Sequence, residues 1–109
     1  MASVAGRVTE RLEALAPLRL VAGREIECLV DTGASCALVL PPALVDELGL
    51  PIIGFEDDLG MVGGERTSAF LALAQIECLG EVRFVEVIVR EDFIIGTELL
   101  EDTRLVVDY

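Results

Sequence analysis

Glu25-Ile26-Glu27-Cys28-Leu29-Val30-Asp31-Thr32-Gly33-Ala34-Ser35 is the stretch that decides how this chain folds. Residues 25–28 alternate polar and apolar, and Leu29 and Val30 are wholly apolar, as in a strand running from surface into core. Asp31 sits at the inner end of that strand. A carboxylate there is costly to bury unless it is hydrogen-bonded, so it needs local donors. A tight loop made by Gly33 can aim backbone N–H groups at it. An Asx-turn closing a strand end is the plainer reading, and the tripeptide alone does not separate the two.

Outward from this stretch, most of the chain reads as short strands. Downstream, Ala37-Leu38-Val39-Leu40 is a second buried run. Pro41-Pro42 then opens a helix over Ala43–Leu48, since proline suits a first helical turn, and Gly49 closes it as a C′ glycine. Upstream, Gly6–Leu12 and Leu18–Ala22 read as strands separated by Pro17. Gly63-Gly64, between 59–62 and Thr67–Leu73, reads as a tight hairpin. Gln75–Leu79 and Val82–Val89 pair across Gly80-Glu81, with Arg83, Glu86 and Arg90 interrupting a β-branched run. Phe93-Ile94-Ile95-Gly96 is a buried strand, Thr97–Glu101 a short helix with Thr97 as N-cap, and Arg104–Asp108 a final strand. Such spacing belongs to a β-barrel or sandwich.

The chain has 109 residues, with eight basic side chains against twenty acidic ones and a net charge of −12. All eight are arginine; there is no lysine and no histidine. Without histidine there is no Ser-His-Asp triad, no Cys-His pair and no HExxH zinc site. The negative charge argues against nucleic acid, whose binding rests on cations meeting phosphates. The hydrophobic fraction of 53% excludes disorder. Three cysteines at wide spacing, Cys28, Cys36 and Cys78, fit neither a disulfide framework nor a zinc site and read as free thiols of a reducing cytoplasm. Cys36, five residues after Asp31, is either a redox brake or an inert thiol; no basic neighbour in sequence favours its thiolate. No segment has the length of a membrane span. The groups left for chemistry are carboxylates, thiols and hydroxyls, and Asp31 stands apart from carboxylates in polar runs such as Glu56-Asp57-Asp58.

Three signatures in order resemble the retropepsin-like aspartic proteases, in particular their small bacterial and archaeal members. Leu29-Val30-Asp31-Thr32-Gly33-Ala34-Ser35 looks like the family's active-site loop, and Phe93-Ile94-Ile95-Gly96 before Glu98-Leu99-Leu100 like its second signature. Val62-Gly63-Gly64 falls where the family carries its flap. Leu38-Val39-Leu40-Pro41, Leu48-Gly49-Leu50 and Arg104–Asp108 resemble the small members too, so the likeness runs from about Gly6 onward. It implies an all-β fold, a closed retropepsin-like barrel (the acid protease fold, single lobe) with one or two short helices, filling residues 1–109 as one domain.

The resemblance also implies a homodimer with one Asp31 from each subunit at the two-fold axis. Two carboxylates so close share a proton. The ionised one takes a proton from water and the protonated one polarises the scissile carbonyl, with no metal and no cofactor. Thr32 bonds across the dimer and Gly33 leaves room for substrate backbone. Ala34, Ser35, Met61, Val62, Gly63 and Gly64 then contact a peptide, and Ile94, Ile95, Gly96 and Thr97 support the loop. An ordinary hairpin at Gly63-Gly64 remains the alternative to a flap. Tyr109 lies at the dimer interface or on a frayed end.

Two positions depart from viral members, which carry an Asp–Arg ion pair where this chain has Ser35 and Thr97. Loss of both charges leaves neither unpaired, which implies rewiring rather than breakage. Ala34, where pepsin-like enzymes place a hydroxyl, implies a mildly rather than strongly acidic optimum. The expected function is peptide-bond hydrolysis, cytoplasmic, without nucleic acid or membrane. A silent peptide-binding or scaffolding dimer is the second reading, and a monomeric β-domain with Asp31 as a turn residue the third.

Overall fold

The computed structural model describes residues 3–21, 23–57, 61, 62, 65, 66 and 68–109. Among the described residues ten strands and one helix follow in order: β1 (Arg7–Val8), β2 (Ala14–Leu20), β3 (Glu25–Val30), β4 (Leu38–Leu40), α1 (Pro42–Glu47), β5 (Ile52–Glu56), β6 (Met61–Val62), β7 (Glu65–Arg66), β8 (Ala69–Cys78), β9 (Glu81–Val89) and β10 (Ile94–Ile95). The sheet runs β1-β2-β3-β10-β4-β9-β8-β5, and an additional β2–β8 pairing closes six of these strands into a ring. Pairings β3–β10 and β4–β9 are parallel, and the other pairings of the sheet are antiparallel.

The ring forms because its strands alternate. Leu18 and Leu20, Ile26 and Cys28, Ala72, Ala74 and Ile76, and Val85 and Val87 point inward as successive same-face residues, while their neighbours face out. Small residues meet branched ones across the β8–β9 ladder, Ala72 opposite Val87 and Ala74 opposite Val85. Leu44 and Val45 of α1 and the side chain of Leu99 join this core. Among the described residues no polar or charged side chain is fully buried. At the ring's edge, Arg7 of β1 reaches across β2 to grip Glu27 of β3 through two hydrogen bonds of 2.9 and 2.7 Å.

Several local readings are corrected. Pro17 lies inside β2 rather than between strands. The amides of Leu20 and Val21 bond to Arg24 of the β2–β3 hairpin and to Gln75 of β8 respectively. By alternation the Pro17 nitrogen faces away from β3, where β2 changes partner from β1 to β8 and no ladder bond is needed. Residues 6–12 hold only the short β1, followed by a turn with Leu12 at φ 61°. Thr67–Leu73 and Gln75–Leu79 are not two strands, since β8 runs unbroken from Ala69 to Cys78. Its hairpin with β9 turns at Leu79-Gly80, one residue earlier than expected; φ is 52° and 81° there, the left-handed pair that suits the strand twist. β5, an edge strand with no clean alternation, has no counterpart in the sequence reading.

The expected helix at Thr97–Glu101 is a run of hydrogen-bonded turns ending at Asp102. The expected strand at Arg104–Asp108 pairs with no strand among the described residues: the ring closes without it, and Leu105, Val106 and Tyr109 stand exposed. Phe93 lies outside β10, with its side chain exposed. The helix is as read to within a residue, with Gly49 beyond it at φ 63°. No helix among the described residues is long and apolar enough to cross a membrane.

Candidate active site

Asp31 leaves the end of β3 where the parallel partner β10 runs alongside it. The Leu29 amide donates to the Phe93 carbonyl at 2.8 Å and the Asp31 amide to the Ile95 carbonyl at 2.9 Å. Past this point the chain turns back, and the Ala34 amide donates to the Asp31 carbonyl at 3.1 Å. Inside that turn the Gly33 amide donates to Asp31 Oδ1 at 2.9 Å, so the Asx geometry read as the plainer possibility is present. Among the described residues no other donor reaches the carboxylate. Gly33 suits the place because a Cβ would lie 3.2 Å from Asp31 Oδ1, tighter than an ordinary contact. The carboxylate is half-buried, and Thr32, Gly33 and Ser35 are exposed.

The 34–37 segment is clamped by the residues after β10. Gly96 donates its amide to the Ala37 carbonyl at 3.0 Å, Thr97 to Ala34 at 2.8 Å and Glu98 to Cys36 at 3.2 Å. Three successive amides facing one segment demand close backbone approach. At Gly96 a Cβ would fall 2.0 Å from the Cys36 carbonyl oxygen, which is why glycine stands there. Thr97 adds its hydroxyl, donated to the Ala34 carbonyl at 3.1 Å. That use explains the missing helix cap, because the hydroxyl is turned to the Asp-Thr-Gly loop instead of to its own backbone. Ile95 is buried and Ile94 half-buried, and the Ile95 carbonyl backs the loop by accepting the Asp31 amide.

The described ones among the sequence-derived site residues therefore fall into three groups. Asp31, Thr32, Gly33, Ala34 and Ser35 form one loop, and Ile94, Ile95, Gly96 and Thr97 back it. Met61 and Val62 form β6, paired antiparallel with β7 so that Val62 faces Glu65. Gly63 and Gly64 lie outside the described residues. A groove of about 640 Å³ lies elsewhere, between α1 and the β5–β8 edge, lined by residues including Val45, Leu50, Ile52 and Phe70; none of the Asp-Thr-Gly loop borders it.

The three thiols are free. Burial pushes the Cys28 thiol up to about 12, with Glu27 adding to the effect. Cys36, half-buried rather than in the core, is also raised, first by burial and then by the negative charges of Glu98 and Asp31, which disfavours a reactive thiolate beside the loop. Among the described residues no group of three or more metal-ligating side chains comes together. One residue tied to this assembly escaped the sequence reading. Arg83 of β9 donates Nη2 to the Leu99 carbonyl at 2.8 Å, within the turn that follows Gly96. Its signal was its parity, since it shares the inward face with Val85 and Val87.

A family model described as aspartyl protease matches residues 16–100, from within β2 to the turn after Gly96. The chain belongs to the aspartyl protease family. No curated protein matches the sequence. Among solved structures this aspartyl protease family member is similar to the EIAV protease complexed with the inhibitor HBY-793. The TM-score is 0.69 at 23% identity, covering 93% of this chain and 99% of that one. It is also similar to the foamy viral protease-reverse transcriptase in complex with an RNA/DNA hybrid, with a TM-score of 0.56 at 18% identity over 84% of this chain and 12% of that much longer one. The fold is accordingly retropepsin-like: mostly β, a single lobe built as a ring of strands with one short helix.

Proposed function

We propose that this family member is an aspartic endopeptidase that works as a homodimer, with the Asp31 carboxylates of two subunits facing each other across a two-fold axis. The observation that carries this reading is the clamped loop: an Asp-Thr-Gly turn whose half-buried aspartate is held by one amide, fixed from behind by Ile95, Gly96 and Thr97. Two carboxylates at hydrogen-bond distance share one proton, because ionising both is costly. The ionised Asp31 accepts a proton from a water, whose oxygen attacks the peptide carbonyl carbon. The protonated Asp31 hydrogen-bonds the carbonyl oxygen as negative charge gathers there. Collapse of the tetrahedral intermediate breaks the C–N bond as a proton passes to the leaving amine.

In this reading Thr32 ties the two loops together and Gly33 admits substrate backbone. Ala34 and Ser35 border the peptide, and the β6–β7 hairpin, with Met61, Val62, Gly63 and Gly64, closes over it as a flap. The dimer carries twice −12, so salt or mild acid strengthens association by screening or protonating carboxylates. The free thiols suit a reducing, cytoplasmic setting. One observation favours a second reading, a silent peptide-binding dimer: Ser35, at the place where viral members keep a charged side chain, is exposed and makes no side-chain hydrogen bond among the described residues.

Incubation with a diverse peptide library, with and without pepstatin, tests the choice. Cleavage that is blocked by pepstatin and lost in Asp31→Asn, with that variant still folded and dimeric, is the expected result. Binding without turnover supports the silent dimer, and turnover by Asp31→Asn refutes the mechanism.

A further inference from the structure

We propose that Arg83 is a positioning residue for the Asp31 loop, a cation supplied by β9 that pins the turn through which Gly96, Thr97 and Glu98 grip residues 34–37. The proposal rests on the peptidase reading for its catalytic consequence, but its structural content stands apart from that reading. Arg83 occupies an inward-facing position of β9, directly opposite Ile76, which is fully buried. The guanidinium donates Nη2 to the Leu99 carbonyl at 2.8 Å, while its Nε is buried with no acceptor among the described residues. Leu99 itself is buried by its side chain, so the turn is anchored twice, apolar side chain into the core and carbonyl onto a cation.

An arginine so placed is a poor choice for stability. A buried donor without an acceptor costs free energy that an apolar side chain of similar length avoids, which offsets part of the bond made to Leu99. What the arginine contributes is a charge-assisted bond to one carbonyl, stronger than a neutral one and fixed in direction by the planar guanidinium. The neutral Thr97 makes the other fastening, its hydroxyl on the Ala34 carbonyl. The turn is thus held to the active-site loop by three amides and a hydroxyl on one side and to β9 by a cation on the other. Ser35 and Thr97 carry no charge, so the fixed positive charge of this assembly comes from β9.

Stability and site order therefore separate in the test. Full-length wild type, Arg83→Met and Arg83→Lys are compared by thermal unfolding, by native-state hydrogen exchange and by peptide cleavage. In Arg83→Met the amides of Gly96, Thr97 and Glu98 exchange about tenfold faster, while the Leu73 amide in β8 is unchanged and Tm stays within a few degrees of wild type. The same variant loses about tenfold in kcat with KM within about twofold, as expected when an aligned group rather than a binding contact is disturbed. Arg83→Lys, which keeps the charge and a donor, restores most of both effects. Unchanged exchange at the three amides overturns the proposal, and so does a fall in Tm with all amides faster together, the mark of a merely structural residue. If the exchange pattern appears but wild type cleaves no peptide, the latch stands and the peptidase reading fails.

Discussion

Gly96→Ala is the substitution on which the structure speaks most sharply. Alanine for glycine at an unstrained position stabilises by about 0.4–1 kcal/mol, because the unfolded chain loses freedom. Here a Cβ would lie 2.0 Å from the Cys36 carbonyl oxygen and 2.9 Å from that of Ala34, both backbone atoms with no flexible end to swing aside. Relief requires the 34–37 segment and the turn to part by about an ångström or more, beyond hydrogen-bond range. Three hydrogen bonds donated by the amides of Gly96, Thr97 and Glu98 are then lost, at about 1 kcal/mol each, or about 3 kcal/mol together. The entropic gain of about 0.4–1 kcal/mol offsets at most about a third of that. For a domain near this size the net loss lowers Tm by about 10 °C or more. Scanning calorimetry or urea unfolding followed by circular dichroism reads the difference directly. A variant that melts within 2 °C of wild type would refute the close approach and with it the clamp on the Asp31 loop.

Further outcomes follow from other residues. Thr97→Val keeps the backbone bond to Ala34 but removes the hydroxyl bond, so it costs about 1 kcal/mol in unfolding experiments; Thr97→Ser restores it, and equal stability of all three proteins counts against the fastening. Leu79 holds φ 52° in the β8–β9 hairpin, a conformation that penalises leucine. Leu79→Asn is therefore expected to gain about 1 kcal/mol and several degrees in Tm, and a lower Tm contradicts the turn geometry. The Cys28 thiol keeps its proton up to about 12 in the fold, whereas the unfolded thiol loses it near 9.0. Between those values the unfolded state binds fewer protons, so stability falls with rising pH, by about 1.4 kcal/mol per unit. Cys28→Val flattens this alkaline limb in urea titrations across pH 8–11, and an identical slope in both proteins rejects the burial argument.

The legible parts of the fold are those whose signals are local. β3 shows because Glu25–Val30 alternates and then turns apolar, and α1 because two prolines precede it and a glycine follows. Ring closure through β2–β8 is not legible, since it joins residues some sixty positions apart and leaves no mark in either segment. β5 is missed because Ile52, Ile53 and Phe55 are all exposed at an edge, with a register shift between Ile52 and Gly54 that spoils any period of two. Thr97 misleads because a hydroxyl before an acidic residue reads as a helix cap, while tertiary contact sends it to Ala34. At the site, Asp31 and Gly33 are readable as a loop and Gly96 as part of a signature, but the reason for Gly96 lies in backbone from sixty residues earlier. Arg83 reads as an interruption of a strand, and only its partner at Leu99 gives it a role.

The central claim is that two Asp31 carboxylates meet, and a crystal structure of the assembled protein measures it directly. The account predicts that their nearest oxygens lie about 3 Å apart across a two-fold axis, close enough to share a proton. A dimer that holds them beyond about 6 Å, or a monomer with Asp31 facing open solvent, contradicts it.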